Sequence, residues 1–229
     1  MDFSIYPSVT TTTNEWREKI KEASELGLLE VAFFPTCLSQ PERNEAYRLL
    51  EKSTIKSIPF VHLRSDMHPD EIHYLKDNFG TRKFNIHSPL DTRYIPKYDL
   101  SEFRDEIYIE NSSCPWKNSL ESWAGICLDV THLESETLGN GEVISDWKSG
   151  LLKHKVGAWH VSAIFDPPVF DHINEILMFD QHRFDTLIRF DYVAKYLNYL
   201  PEMIALELEN TLTEQLKVKE YIEKIIRSN

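Results

Sequence analysis

The sequence predicts an α/β protein built as a single (β/α)8 TIM barrel over residues 1–229. Eight short apolar runs alternate with helical segments, and most repeats have roughly the 20–30 residues of a βα unit. A chain of 229 residues accommodates eight such units in one domain. A doubly wound open sheet is the alternative, but no glycine-rich phosphate loop follows the first strand. We therefore expect a closed barrel.

Each predicted strand is a short run in which most residues are apolar, as is typical of buried parallel strands. The first four runs are Phe3–Tyr6, Leu28–Phe34, Ile58–Leu63 and Lys83–His87. The last four runs are Glu106–Glu110, Gly125–Asp129, Val156–Val161 and Met203–Glu207.

Helices are predicted where apolar residues recur at helical spacing between these runs. The first is expected to begin at a cap near Asn14 and to end at Gly27. A turn at Gly139–Gly141 precedes another helix, and a long loop contains Pro167 and Pro168. The other predicted helices are Pro41–Lys52, Pro69–Phe79, Leu100–Arg104, Lys117–Trp123, Val143–Lys153, Thr186–Leu197 and Leu212–Ile226.

Composition narrows the choice of location and partner. The chain has 41% hydrophobic residues and a formal net charge of −12, which disfavours general binding to nucleic-acid phosphates. It has no membrane-length apolar stretch and no visible signal peptide. Cys37, Cys114 and Cys127 have no metal-type spacing and are odd in number, which suits a reducing cytoplasm. We therefore expect a cytoplasmic protein; the sequence gives no oligomeric state.

The sixth predicted strand shows how polar residues end these runs. Asp129 follows the apolar residues directly, and His132 comes three residues later. A carboxylate at the mouth of a buried strand is costly unless it is paired or bound to a metal. Either Asp129 caps the next helix with His132 packed beneath it, or both side chains bind a metal ion.

Other predicted strands also end on an imidazole or a carboxylate. The carboxyl ends of barrel strands face one common mouth, where the chemistry takes place. Mixed nitrogen and oxygen donors suit zinc, manganese or iron(II) better than calcium. The predicted metal ligands are His62, His87, Glu110, Asp129, His132, His160, Asp180, His182 and Glu207. One buried histidine alone would be read as a core residue, so the prediction depends on the set.

Further polar residues compete with this set. Glu209, two residues after Glu207, is an alternative last ligand. Asp171 and His172 share the long loop with Asp180 and are weaker candidates. Surface positions are predicted for His68, His73 and His154.

These motifs resemble the xylose-isomerase-like barrel superfamily, which includes endonuclease IV and many sugar isomerases and epimerases. The resemblance covers nearly the whole chain and is carried by residues 109–111, 127–132, 159–161, 180–182 and 206–207. In the isomerase and epimerase branch it implies a metal held by Glu110, Asp129, His160 and Glu207.

The endonuclease IV branch implies three zinc ions, with five further ligands. These fall on His62, His87, His132, Asp180 and His182. Two departures affect the third metal. The loop before Asp180 is longer than the family pattern, and Arg183 and Phe184 stand where glycines usually follow.

Two enzyme functions follow from this reading. In a phosphoester hydrolase, the nine donors would hold several metal ions, and Arg64, Arg93 and Arg183 would bind phosphate oxygens. In a sugar or sugar-phosphate isomerase or epimerase, Glu110 or Glu207 would move the proton at a carbon activated by one metal. A non-catalytic metal or sugar-phosphate binding protein is a third alternative.

The donor count favours a multinuclear hydrolase of the endonuclease IV type. The acidic charge and short loops favour a small phosphorylated or sugar substrate over duplex DNA. Zinc is the expected cofactor, with manganese or iron as alternatives. No membrane association is expected.

Overall fold

A computed structural model describes residues 2–112, 115–141, 143–171 and 175–229, so Cys114 and His172 lie outside the described residues. The strands are β1 Ser4–Tyr6, β2 Ser8–Thr10, β3 Ala32–Phe34, β4 Phe60–His62, β5 Lys83–His87, β6 Ile107–Glu110, β7 Gly125–Asp129, β8 Val156–Val161, β9 Ala163–Asp171, β10 Ile176–Gln181 and β11 Met203–Leu206. The helices are α1 Trp16–Glu25, α2 Gln40–Lys52, α3 Pro69–Phe79, α4 Val130–Asn140, α5 Ser145–Lys153 and α6 Leu212–Ser228. Segments of 3-10 helix cover Ser101–Phe103, Lys117–Ser122 and Leu187–Tyr199.

Nine of these strands form one parallel sheet that returns to its own beginning. In the described residues the order is β1-β11-β8-β7-β6-β5-β4-β3-β2. Pro7 separates β1 from β2. β1 pairs with β11 and β2 pairs with β3, so the two are parts of one first strand that joins both ends of the sheet. Proline has no N–H for a ladder bond, but the Pro7 carbonyl accepts a bond of 2.9 Å from the Ala32 N–H. Counted this way, eight strands form a nearly closed barrel, and the predicted fold class is confirmed.

The period-two alternation of strand side chains divides the core into two parts. Outward residues such as Val61, Ile109 and Trp159 pack against the surrounding helices. A separate inner cluster fills the barrel, and its members are Tyr6, Ala32, Phe34, Phe60, Tyr108, Cys127, Ala158, Met203 and Ala205. Gly157 is needed beside this cluster, because a Cβ there would lie 2.0 Å from the Tyr108 ring. The inner cluster closes the barrel below its carboxyl end.

Several predicted elements have their predicted bounds. Three strands, β5, β7 and β8, and the helix α3 begin and end where the sequence indicates. Gly80 ends α3 with a left-handed φ of 62°. The other predicted strands are longer than the observed ones, because residues at one or both of their ends lie outside the paired strand.

Two predicted connections were wrong. The predicted turn at 139–141 is the end of a helix, because α4 runs from Val130 to Asn140 and only Gly141 is left-handed. The next helix consequently begins at Ser145 rather than Val143. The predicted loop around Pro167 is an antiparallel hairpin of β9 and β10. Neither element has a strong periodic pattern in the sequence.

Two helix predictions also need correction. The first helix begins at Trp16 after Glu15, and no side chain caps it, so Asn14 is not its cap. The segment predicted as the helix Thr186–Leu197 is a 3-10 helix over Leu187–Tyr199. Within the described ranges, none of the helices has the length and apolar character needed to cross a bilayer.

Candidate metal centre

All nine predicted ligands lie around the carboxyl end of the barrel. Strand alternation explains the strand-borne ones: Phe60, Tyr108 and Cys127 point inward, so the residues two positions later also point inward. The donors therefore stand one layer above the inner cluster. The strand-end donors are His62, His87, Glu110, Asp129, His160 and Glu207, and His132, Asp180 and His182 come from α4 and the hairpin.

Glu110 lies at the centre of the cluster and is 1% exposed. Its Oε2 accepts a hydrogen bond of 2.6 Å from the Asn85 amide and lies 3.1 Å from His62 Nε2. The same oxygen is 3.5 Å from His160 Nδ1, and Oε1 is 3.9 Å from His87 Nε2. One carboxylate thus reaches imidazoles from three strands.

Asp129 performs the capping role that the sequence left open. Its Oδ1 accepts hydrogen bonds from the N–H groups of Thr131 at 2.8 Å and His132 at 3.0 Å. Its backbone is held by Asn111, which accepts from the Asp129 N–H at 2.7 Å and donates to its carbonyl at 2.8 Å. Oδ2 makes no capping bond and lies 3.6 Å from His132 Nδ1. Capping therefore leaves one oxygen that faces the cluster.

His160 gives the clearest indication that a cation fits here. The ring is 0% exposed and packs against Phe34 at 5.0 Å and Phe60 at 5.3 Å between centroids. Its Nδ1 lies 3.3 Å from Glu207 Oε2, yet among the described residues neither ring nitrogen has a hydrogen-bond partner. Burying an unsatisfied polar group is costly. A divalent ion between His160 Nδ1 and the carboxylates would give Nδ1 a partner.

Backbone carbonyls orient two other imidazoles. His62 Nδ1 lies 3.0 Å from the Leu63 carbonyl, and His132 Nδ1 lies 2.8 Å from the Asn111 carbonyl. If Nδ1 carries the proton in each ring, Nε2 has its lone pair directed into the site. Metal-ligating histidines are commonly held in this way.

In the described residues, three groups of donors have ligand atoms within 4.8 Å of one another. The first contains His62, His87 and Glu110, and the second contains Glu110, Asp129 and His132. The third contains Asp129, His160 and Glu207. Because Glu110 and Asp129 each belong to two groups, the three groups form one continuous cluster.

Asp180 and His182 border this cluster without belonging to those groups. Asp180 Oδ2 lies 3.3 Å from His132 Nε2, and Asp180 Oδ1 accepts a bond of 2.7 Å from Ser162. His182 Nε2 lies 4.0 Å from Glu207 Oε1. The competing Glu209 instead contacts Arg183 and Thr12, so Glu207 occupies the position beside His160.

Charge pairing inside the cluster shifts its ionisation. Burial raises the pKa of Asp129 to about 6, and the nearby charges of Asp180 and Glu110 add to this rise. Burial also opposes ionisation of Glu110, but His160 and His87 hold the pKa of Glu110 well below its usual value. Burial lowers the pKa of His87 to about 4.

Burial also opposes protonation of His132 and His160, but Asp129 raises the pKa of His132, and Cys127 and Glu110 raise that of His160, well above the usual value. A bound cation would therefore displace protons from these two imidazoles.

The arginines predicted to bind substrate lie at two different places. Arg64 and Arg93 line a cavity of about 180 Å³ that also contacts His62 and His87. Arg64 is paired with Asp66, and Arg93 with Asp91. Across the mouth, Arg183 is held by Glu15 and Glu209 and lines a groove beside Asp180 and His182.

Supporting residues were missed by the sequence analysis. Asn85 donates to Glu110, Asn111 fixes Asp129, Ser162 donates to Asp180, and the Tyr94 ring lies 4.0 Å from the His87 ring. Asn85 could have been found, because it is two residues before His87 and shares its inward face. The others are set by loop geometry, which residue spacing does not report.

The remaining histidines lie outside the cluster. His68 caps α3, His73 is paired with exposed Glu102, and His154 follows α5. Asp171 lines the groove that also contains Asp180 and His182.

Comparison with known proteins bears mainly on the fold. No protein-family model matches the chain, and no curated protein matches its sequence. The chain is similar to a solved xylose isomerase-like TIM barrel protein from Mycobacterium smegmatis in complex with magnesium, with 12% identity, a TM-score of 0.51, and coverage of 99% of this chain and 97% of the other. It is also similar to the HpcH/HpaI aldolase from Desulfitobacterium hafniense DCB-2, with 10% identity, a TM-score of 0.43 and coverage of 98% and 93%, a likeness too low to bear on function. The chain therefore has a xylose isomerase-like TIM-barrel fold.

Proposed function

We propose that this protein is a divalent-metal-dependent enzyme and, more specifically, a multinuclear phosphoester hydrolase that resembles endonuclease IV. The observation that supports this most is the sharing of Glu110 and Asp129 among three adjacent donor groups. One ion of the kind used in isomerases needs about four ligands, and the mouth offers more than twice that number. Carboxylates shared between neighbouring ions are typical of two-metal sites that stabilise both sides of a phosphoryl displacement.

The donor set favours zinc, with manganese or iron(II) as alternatives, because five of the nine donors are imidazoles. Bound divalent ions would supply an activated water and charge stabilisation at phosphorus. His62, His87 and Glu110 would hold one ion, and Glu110, Asp129, His160 and Glu207 would hold its neighbour. His132, Asp180 and His182 would complete the cluster at the hairpin.

Arginines on both sides would orient the phosphoryl group. Arg64 and Arg93 line the cavity next to His62 and His87, and Arg183 lies beyond His182. Guanidinium groups bind phosphate oxygens through paired, charge-assisted hydrogen bonds. The net charge of −12 disfavours a long polyanion, so a small phosphorylated substrate is proposed in preference to duplex DNA.

A sugar or sugar-phosphate isomerase or epimerase is the second candidate. Its support is the xylose isomerase-like fold of a neighbour solved with magnesium. In this reaction Glu110 or Glu207 would move a proton between carbons while one ion held adjacent substrate oxygens. The other five donors would then have no metal-binding role: His62, His87, His132, Asp180 and His182. If the protein were a non-catalytic metal or sugar-phosphate binding protein, the donor cluster would have no catalytic role.

Metal analysis with activity assays tests the proposal. We expect purified protein to bind more than one zinc ion per chain and to hydrolyse small phosphoesters. Glu110→Gln should bind fewer ions and lose activity by about 10³-fold or more, because a carboxylate shared by two groups becomes a neutral amide. Glu106→Gln is the matched control, since Glu106 precedes the same strand and pairs with Lys76 at the opposite end of the barrel.

The outcomes separate the two enzymes. One ion per chain, no phosphoester hydrolysis, and deuterium exchange at carbon in ketoses or ketose phosphates would replace the hydrolase with the isomerase. Multiple ions with hydrolysis and no exchange would support the hydrolase.

A further inference from the structure

The hairpin of β9 and β10 is built directly onto the predicted ligands. Asp180 lies within β10, and His182 follows its last residue, Gln181. Residues that extend this arm therefore stand beside the site. Val169 and Met178 are cross-strand partners on the arm, and neither offers a ligand atom suited to the metals expected here.

The arm has a packed face and a face towards the mouth. On the packed face the Phe179 ring lies against Gly139 of α4, and the Arg189 guanidinium covers the Phe165 ring at 4.0 Å. Val169 and Met178 instead line a groove of about 540 Å³, which we call the hairpin groove. Its other lining residues are Phe170, Asp171, Asp180, Gln181, His182, Arg183 and Glu209.

The cavity lined by Arg64 and Arg93, which we call the arginine cavity, lies on the opposite side of the donor cluster from the hairpin groove. The arginine cavity is formed at β4 and β5, while the arm follows β8, which is four strands from β4 in the sheet order. The arginine cavity thus offers two guanidinium groups. The hairpin groove offers one guanidinium group, that of Arg183, beside an apolar wall formed by Val169 and Met178. A ligand whose phosphoryl group lies at the cluster can therefore place an apolar substituent against this wall.

We infer that the hairpin groove binds an apolar, preferably aromatic, group attached to the phosphoryl group of the substrate. This inference rests on the proposed function. Its physical basis is the exposure of the wall: Val169 is 41% exposed, and Met178 is half-buried. A planar group laid against them would remove apolar surface from water on both partners. The volume is within the range of small-ligand sites, and the groove reaches the ligands Asp180 and His182 directly.

The test compares phenylphosphonate and methylphosphonate, which are not hydrolysed, binding to the zinc-loaded protein by calorimetry. We expect phenylphosphonate to bind at least about tenfold more tightly, because only its ring reaches the groove. Replacing the wall by near-isosteric polar residues, Val169→Thr with Met178→Gln, should remove most of this preference while methylphosphonate affinity stays unchanged.

A matched variant controls for damage to the arm. Ile176→Thr with Leu177→Gln introduces the same two polar residues on the same hairpin, at residues that are 51% and 63% exposed and do not line the groove. It should keep the full preference for phenylphosphonate. Loss of the preference in both variants would overturn the inference, as would equal affinities in the unmodified protein.

The same measurements distinguish failure of this inference from failure of the proposed hydrolase function. Equal, zinc-dependent binding of both phosphonates would overturn the groove and leave the phosphoester proposal standing. Preferential binding of phenylphosphonate without any phosphoester hydrolysis would support the groove and overturn the hydrolase. Failure of both compounds to bind the zinc-loaded protein would overturn both.

Discussion

Lys19 is a charged residue buried where α1 meets the carboxyl end of the barrel. Its ammonium group donates to Thr10 Oγ1 at 2.5 Å and to the Leu208 carbonyl at 2.9 Å. Buried Gln215 donates to the same carbonyl at 3.0 Å. Because Leu208 follows Glu207 directly, these two side chains fix the backbone that presents Glu207 to His160. Neither contact depends on the charge of Lys19, since a neutral amine also donates hydrogen bonds.

The ionisation of Lys19 predicts a pH dependence of stability. Burial lowers its pKa from 10.5 to about 8, against the opposing charge of Glu209. Between pH 8 and 10 the unfolded chain keeps a proton that the folded chain has released, so the free energy of unfolding rises with pH. Relative to Lys19→Met, the unmodified protein should gain about 2 kcal/mol between pH 7 and pH 10.

Urea denaturation across this pH range measures the difference, and the other titrating groups cancel because both proteins contain them. Lys21→Met is the control, since Lys21 is exposed on the same helix. A constant difference between Lys19→Met and the unmodified protein would show that the buried ammonium group stays protonated throughout.

At the scale of single residues, the sequence identified donors better than their supports. The positions of His62, Glu110 and His160 at the mouth could be predicted, because each lies at or one residue before the end of a predicted strand and strand alternation fixes the side it faces; their binding of a metal stays a prediction. Asn111 could not be assigned a role, because its bonds to Asp129 depend on how two neighbouring strands end. Likewise, the sequence could not separate Glu207 from Glu209, which differ only in whether the strand continues.

Among the elements, α4 and the hairpin were missed for different reasons. The helix α4 carries no charged residue of the favourable sign in its first turn and has a weak amphipathic pattern, so its beginning depends on the cap from Asp129. The hairpin contains Pro167 and Pro168, which usually indicate a loop, and its arm is exposed on one face. Both elements lie beside the donor cluster, where contacts made at the site determine the local structure more than the local sequence pattern does.

The double role of Asp129 predicts that two substitutions separate capping from metal binding. Asp129→Asn keeps an oxygen for the Thr131 and His132 N–H groups, whereas Asp129→Ala removes it. In metal-free protein, Asp129→Asn should unfold within about 0.5 kcal/mol of the unmodified protein, and Asp129→Ala should be about 1–2 kcal/mol less stable.

Both variants should bind fewer zinc ions, because neither retains the carboxylate. Denaturant unfolding gives the first result, and metal analysis gives the second. If Asp129→Asn retained the full zinc content, Asp129 would be a helix cap alone.

For the whole molecule, the repeat of strand and helix predicted the barrel because short runs, most of them largely apolar, alternate with helical segments. The break at Pro7 did not hide the first strand, since the residues on both sides pair with the sheet. The reaction could not be fixed from this architecture, because one arrangement of strand ends supports several chemistries. The chemical types of the donor atoms are more informative about function than the fold is, because imidazoles and carboxylates favour different metals.

Metal binding should therefore stabilise the whole barrel, and more so for zinc than for magnesium. Ions that bind only the folded state raise its stability by about 4 kcal/mol per site at a thousandfold excess over the dissociation constant. For a chain of this size each kcal/mol raises the Tm by about 2–4 °C. Scanning calorimetry with increasing zinc should show a rise in Tm of about 8 °C or more, and a smaller rise in Tm for Glu110→Gln.

Magnesium prefers oxygen ligands in octahedral geometry, so a cluster rich in imidazoles should gain little stability from it. If magnesium raised the Tm as much as zinc, the imidazoles would not be ligands, and the single-ion isomerase would become the better proposal.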